Sequence, residues 1–172
     1  MIVISNASPL IYLAKANRIH LLKDLFEKII IPTEVYNEVV TRGLKDNFSD
    51  ARLVESAVKE GWIEVVKLSE STRKNVLDFE ELDYGEIAVL KLAGTYPDCL
   101  ILIDDASARK IAESLGYKVK GTLYVILLAT RRKIISEKTA YGIINSLVSS
   151  GFRISIELYL KIIESLRHLK MD

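Results

Sequence analysis

The chain has 172 residues, of which 49% are hydrophobic and 27% charged, and its formal net charge is +1. That length suits one domain of ordinary size, the composition excludes disorder, and the balanced charge excludes nucleic-acid binding by bulk charge, so any such partner must meet a local basic patch. The lone cysteine, Cys99, can form no intrachain disulfide, the opening Met1-Ile2-Val3-Ile4-Ser5 carries no basic leader, and no apolar run approaches the roughly 18 residues of a membrane span, so a cytoplasmic protein without membrane contact is expected.

Ile2-Val3-Ile4 reads as a short buried strand, and Asn6 to Pro9 supplies turn chemistry before a helical segment from Leu10 to Ala14. Ile19 to Phe26 continues with helical spacing, Lys28 to Ile31 reads as a second strand, and Pro32-Thr33 opens a helix through Val40. Ser49 is placed to cap a helix from Asp50 to Glu60, Gly61 ends it, and Trp62 to Val66 alternates like a third strand. Asp83-Tyr84-Gly85-Glu86 has the form of a capping box ahead of the helical run Ile87 to Ala93. A fourth strand, Leu100 to Ile103, ends at the acidic pair Asp104-Asp105, and a helix follows from Ala106 to Leu115. Tyr117 to Val119 reads as a fifth strand, Gly121-Thr122 starts an apolar helix through Ala129, and the remainder is helical.

Strands alternating with helices predict an α/β fold: three layers, α/β/α, around a mainly parallel sheet of roughly five strands, with further helices at the C-terminal end. The expected organisation is a core domain over 1–135 and a helical extension over 136–172 packed on it.

Asn6, Glu38, Glu86 and the Asp104-Asp105 pair occupy comparable places in this pattern. If strands one and four are neighbours where the winding of the sheet reverses, Asn6 and the Asp pair face each other across one crevice, and Glu38 and Glu86 can complete an oxygen-rich pocket. Ionised carboxylates at close range repel, so such a pocket must take up protons or a cation, and Mg2+ or Mn2+ fits its oxygen donors. Phosphodiester hydrolysis is the reaction such ions support. Each residue also has a purely structural reading. Asp104 and Asp105 could cap the helix after them, Glu86 could belong to the capping box of Asp83, Glu38 could line a solvated helix face with Glu34, and Asn6 could shape the turn before Ser8-Pro9.

Taken together, these segments resemble the PIN-domain family of metal-dependent nucleases, whose prokaryotic members include the VapC-type toxins of toxin-antitoxin systems. Val3-Ile4-Ser5-Asn6-Ala7-Ser8-Pro9-Leu10-Ile11 resembles the family's first strand and turn, where its first acidic ligand sits, and here that position is Asn6. Ile31 to Glu38 is similar to the segment with the second acidic residue, and Leu82-Asp83-Tyr84-Gly85-Glu86 to the helix start with the third. Leu102-Ile103-Asp104-Asp105 resembles the strand end with the fourth, with Asp105 placed there first and Asp104 second. The Asn-Ala-Ser-Pro-Leu-Ile opening points to one prokaryotic branch of the family, and the helices after Ser136 resemble that branch's C-terminal extension.

The resemblance implies a Mg2+- or Mn2+-dependent endoribonuclease, the toxin of a toxin-antitoxin pair, with RNA as substrate, an antitoxin protein as partner, and a homodimer. Asn6 gives an amide oxygen in place of a carboxylate, which lowers the expected metal affinity. The alternative is a non-catalytic PIN-like module that binds nucleic acid or a partner. An acidic centre that handles RNA needs cations at its rim. Arg109 and Lys110 follow the acidic pair by one turn, Lys118 and Lys120 flank the fifth strand, Arg131-Arg132-Lys133 is the densest basic cluster, and Ser8 and Thr122 are candidate phosphate contacts.

Overall fold

The computed structural model describes residues 1–69 and 81–168. Its centre is a five-stranded sheet of β1 (Val3–Ser5), β2 (Ile29–Pro32), β3 (Ile63–Val66), β4 (Leu100–Leu102) and β5 (Lys118–Lys120), in the order β3-β2-β1-β4-β5. Every pairing is parallel, with Ile4 opposite both Ile30 and Ile101. Strands buried on both faces cannot alternate apolar with polar, which is why β2 and β4 are short continuous apolar runs and β1 departs from one only at its last residue, Ser5. The expected α/β/α architecture is present, with helices on both sides of the sheet.

The helices are α1 (Ala7–Lys15), α2 (His20–Phe26), α3 (33–45), α4 (Ser49–Lys59), α5 (Tyr84–Ala93), α6 (Ala106–Ser114), α7 (Thr122–Arg131), α8 (Glu137–Ser149) and α9 (Ile156–His168). Helix α5 packs on β1 and β2 and against α3, while α7 gathers α1, α2, α8 and α9 around itself. Ala140, Ile143, Ile144, Leu147, Ile162 and Leu166 of α8 and α9 are buried in the same apolar cluster as the strands. Of the expected extension, 169–172 lie outside the described residues.

Beyond one-residue shifts at strand ends, three elements differ from the sequence expectation: α1 begins at Ala7, inside the expected turn Asn6 to Pro9, and α3 and α4 also depart from it. Helix α3 does not end at Val40: it runs through a π-helical segment, Asn37–Arg42, to a last α-helical turn, Gly43–Lys45. Ser49 does not cap α4 but is its first residue, and Phe48 holds the cap position without a side-chain bond. The cause is the tight turn before it, where Asn47 takes φ +58° and the Phe48 amide donates to the Gly43 carbonyl at 2.8 Å, so that α4 starts one residue early. Gly43 lets the two helices close up, since a Cβ there would lie 2.7 Å from that of Ala51.

The strand order places the reversal of winding between β1 and β4. Ligand crevices of open parallel sheets lie at the carboxyl ends of the strands at such a reversal. Asn6 and the Asp104-Asp105 pair leave the sheet on its two sides.

Candidate active site

Asn6 is fixed first by the sheet. Its amide donates to the Leu102 carbonyl at 2.9 Å, which carries the β1–β4 ladder one residue past β1. Asn6 then stands at the N-cap of α1 with extended backbone, φ −78° and ψ 175°, yet its side chain makes no capping bond. An N-cap oxygen ordinarily accepts from the second or third helical amide. Here the third helical residue is Pro9, which has no N–H to give. Asn6 is 4% exposed, and its Oδ1 is buried with no hydrogen-bond partner among the described residues. A buried acceptor left unmatched costs about 1–3 kcal/mol, and such an orphan is a mark of a site that expects a ligand.

Two helices bring carboxylates to that oxygen. Glu38 comes from the π-helical part of α3, half-buried, and Asp83 and Glu86 come from the start of α5. Gly85 is the point where they meet. A Cβ on Gly85 would lie 3.0 Å from Glu38 Oε2, 3.3 Å from Asp83 Oδ1 and 3.4 Å from Asn6 Oδ1. The missing side chain therefore leaves a small cup walled by three oxygens. Asp83 and Glu86 also form the capping box that the sequence suggests: Asp83 Oδ1 accepts from the Glu86 amide at 2.8 Å, and Glu86 Oε2 accepts from the Asp83 amide at 3.1 Å. Structural and site roles coincide in these residues. Asp83 was legible only as a cap, because its approach to Asn6 depends on how α5 docks on β1.

The two aspartates after β4 part company. Asp104 Oδ1 accepts from the Thr122 amide at 2.7 Å and Oδ2 from the Thr122 hydroxyl at 2.6 Å, which ties the end of β4 to the start of α7. Gly121 permits this, since a Cβ there would stand 2.6 Å from Asp104 Oδ1 and 3.1 Å from Arg109 Nη1. Asp105 is exposed and caps α6, its Oδ1 accepting from the Ser107 and Ala108 amides at 2.8 and 2.9 Å. Its second carboxylate oxygen takes no part in either bond. Thr122 is fully buried, both its donors committed to Asp104.

Of the other expected contacts, Arg109 reaches Asp104 and Gly121, Ser8 is half-buried in the first turn of α1, and Lys110 is exposed on α6. The basic run from Arg131 falls at the far end of α7, about 13.5 Å from Thr122 at the helical rise of 1.5 Å per residue. Arg132 is used there structurally, its Nη1 donating to the Leu25 carbonyl at 3.0 Å.

Compared with the models of known families, residues 2–168 match a PIN domain. The chain belongs to the PIN-domain family. No curated protein matches it. PIN domains are generally nucleases that act on nucleic acids and usually use divalent metals, so the coarse class of this chain is that of a nuclease-type fold.

The electrostatics of this PIN domain follow from crowding acids into a half-dry crevice. Burial pushes the Glu86 carboxyl up to about 7; its bond from the Asp83 amide opposes the rise, and the charges of Asp83, Asp105 and Glu38 add to it. Glu38 is raised by burial and then by Asp83, with Arg42 pulling the other way. Asp104 is raised by burial against the two Thr122 bonds and the Arg109 charge. Among the described residues no three His, Cys, Asp or Glu side chains close into a ready ion cage; the convergence at Gly85 includes an amide oxygen. No helix among them is long and apolar enough to cross a membrane.

Proposed function

We propose that this PIN domain is a Mg2+- or Mn2+-dependent endoribonuclease that hydrolyses RNA phosphodiester bonds. The observation that carries the reading is the meeting of Asn6 Oδ1, Glu38 Oε2 and Asp83 Oδ1 within 3.4 Å of one point, with Glu86 beside them. The donors are all oxygen, the chemistry that hard divalent cations take. The partnerless buried Asn6 Oδ1 and the space that a Cβ on Gly85 would fill both fit such an ion.

Asn6, Glu38 and Glu86 would hold it with Asp83 as the third wall of the cup, and Asp105 would join from the end of β4. When bound, the ion supplies an activated water and positive charge against the phosphate. The chain's own part is to place the oxygens. Asn6 contributes a neutral one, so the cup gathers one negative charge fewer than four acids would. The capping box locks Glu86, and the Asp104–Thr122 brace fixes the backbone from which Asp105 projects. Arg109 offsets the repulsion between this acidic crevice and an incoming phosphate.

A toxin role with an antitoxin partner and a homodimer belong to the same proposal, supported by the family resemblance. The free, buried Cys99 supports a cytoplasmic setting. A second reading, a non-catalytic RNA- or partner-binding module, is favoured by Asn6 at the first ligand position and by the lack, among the described residues, of a cage of three acids. Cleavage of a single-stranded RNA with Mn2+, run beside calorimetric Mn2+ titration, separates the two. The wild type is expected to cut, Glu86→Gln to lose roughly 100-fold or more, above what an outer-shell change costs, and Asn6→Asp to bind Mn2+ more tightly. RNA left intact by both the wild type and Asn6→Asp transfers the case to the second reading.

A further inference from the structure

A second feature lies on the other side of Asp104 from the acidic cup. Where β5, the start of α7 and the front of α9 meet, a cavity of about 260 Å³ opens to solvent. Tyr124 and Leu127 of α7 and Ile162 of α9 give it an apolar wall, while Arg109, Lys120 and Arg153 stand at its mouth. None of Asn6, Glu38, Asp83 or Glu86 lines it. Its volume is below the roughly 300–1,000 Å³ of pockets for drug-sized ligands, leaving room for one planar ring system.

Arg109 faces the Asp104 carboxyl, but the other two cations take no part in holding the fold. Lys120 and Arg153 are exposed and join no ion pair among the described residues, and Arg109 reaches Glu113 only at 4.0 Å. Lys120 Nζ lies 5.3 Å from the centroid of the Tyr124 ring, so a positive charge and an aromatic face are offered together. A flat, largely apolar group carrying phosphates matches that combination.

We propose that this cavity takes up one unpaired base of an RNA strand against Tyr124, while Arg109, Lys120 and Arg153 hold the phosphates on either side of it. The inference rests on the ribonuclease reading and deepens it by assigning the residues that grip the strand outside the acidic cup. A base still stacked and paired in a duplex cannot enter a one-ring cavity, whereas an unstacked base can lie on an aromatic side chain. Asp104 joins the cavity to the crevice, so a strand crossing the carboxyl edge of the sheet passes from the acidic cup to the basic mouth. The C-terminal helix α9 gains a role in this way, since Ile162 closes the wall.

The test uses the full chain in EDTA, so that binding is read without cleavage, and a fluorescein-labelled single-stranded RNA of about eight nucleotides, within the range of single-strand site sizes. Tyr124→Ala is expected to weaken binding roughly tenfold, as losing one stacked base does, and Tyr124→Phe to restore it. Arg153→Glu, an exposed change that cannot unfold the core, is expected to weaken binding and flatten its salt dependence. A blunt RNA duplex should compete poorly. Unchanged affinity in both Tyr124→Ala and Arg153→Glu overturns the inference, and the ribonuclease reading then stands or falls on Mn2+-dependent cleavage by the wild type. Absence of any RNA binding by the wild type overturns both. Loss of a co-purifying protein partner in these variants, with RNA affinity intact, overturns it in favour of a protein occupant.

Discussion

Buried to 7% exposure among Asp83, Asp105 and Glu38, the Glu86 carboxyl keeps its proton up to about pH 7 in the folded chain, but in the unfolded chain it releases it near 4.5. The folded state therefore binds the proton more tightly, and stability falls as pH rises through the interval between those values, by up to about 3 kcal/mol. Glu38, also raised, acts in the same direction. Urea unfolding in EDTA should show the wild type losing stability from pH 4.5 to 8, and Glu86→Gln losing less. The glutamine oxygen can still accept from the Asp83 amide, so at pH 8 the variant should be the more stable protein; a flat wild-type profile would remove the claim that Glu86 is buried among acids. Gly85→Ala probes the same cup by volume. Its backbone is helical, where alanine gains up to about 1 kcal/mol over glycine, but the new Cβ sits 3.0 Å from Glu38 Oε2. Stability should hardly change while Mn2+ affinity, measured by calorimetry, drops. Unchanged affinity would mean that the cup is not where the ion goes.

Asp104 and Asp105 show at the scale of elements why neighbouring carboxylates do different work. Asp104 joins β4 to α7 through both Thr122 donors, whereas Asp105 starts α6 and leaves an oxygen at the crevice. Asp104→Ala strands the Thr122 amide and hydroxyl in a buried place and should cost about 2–4 kcal/mol in urea unfolding. Asp105→Asn keeps a good N-cap and should stay within about 0.5 kcal/mol of the wild type, yet weaken Mn2+ binding. Equal destabilisation by the two would erase the distinction. Sequence order could not assign these roles, because it showed two acids after a strand but not that α7 begins against the first. The strands and most helix starts were legible because local rules decide them: apolar runs bounded by turns, and Asp83 three residues before Glu86. The π-helical stretch of α3 was not, since hydrogen bonds five residues apart leave no mark in an apolar period. Glu38, which that stretch carries, was legible as a member of an oxygen-rich pocket but not as a neighbour of Asp83.

Across the whole molecule, a net charge of +1 hides a strong separation. The acids of the cup meet at the crevice between β1 and β4, Arg109, Lys120 and Arg153 stand next to them, and the densest basic run, from Arg131, lies at the opposite end of α7. The alternation of strands and helices foretold a parallel sheet, and the crevice followed on the condition that β1 and β4 be neighbours, but basic density along the chain pointed to the end of α7 away from that crevice, because a helix carries its two termini to opposite edges of the sheet. This arrangement fixes how RNA binding should respond to salt. Single-stranded nucleic acid loses affinity with a slope of about −0.7 per neutralised phosphate in a plot of log K against log salt. Three cations at one mouth give a slope near −2, and Arg153→Glu should bring it toward −1. Binding spread over the whole surface, including Arg131 and Lys133, would give a steeper slope that Arg153→Glu barely moves. Fluorescence titration in EDTA between about 50 and 200 mM salt, the interval over which such contacts change affinity most visibly, decides between them. A steep slope insensitive to Arg153 would place the strand away from the carboxyl edge of the sheet, and with it away from Asn6 and Glu86.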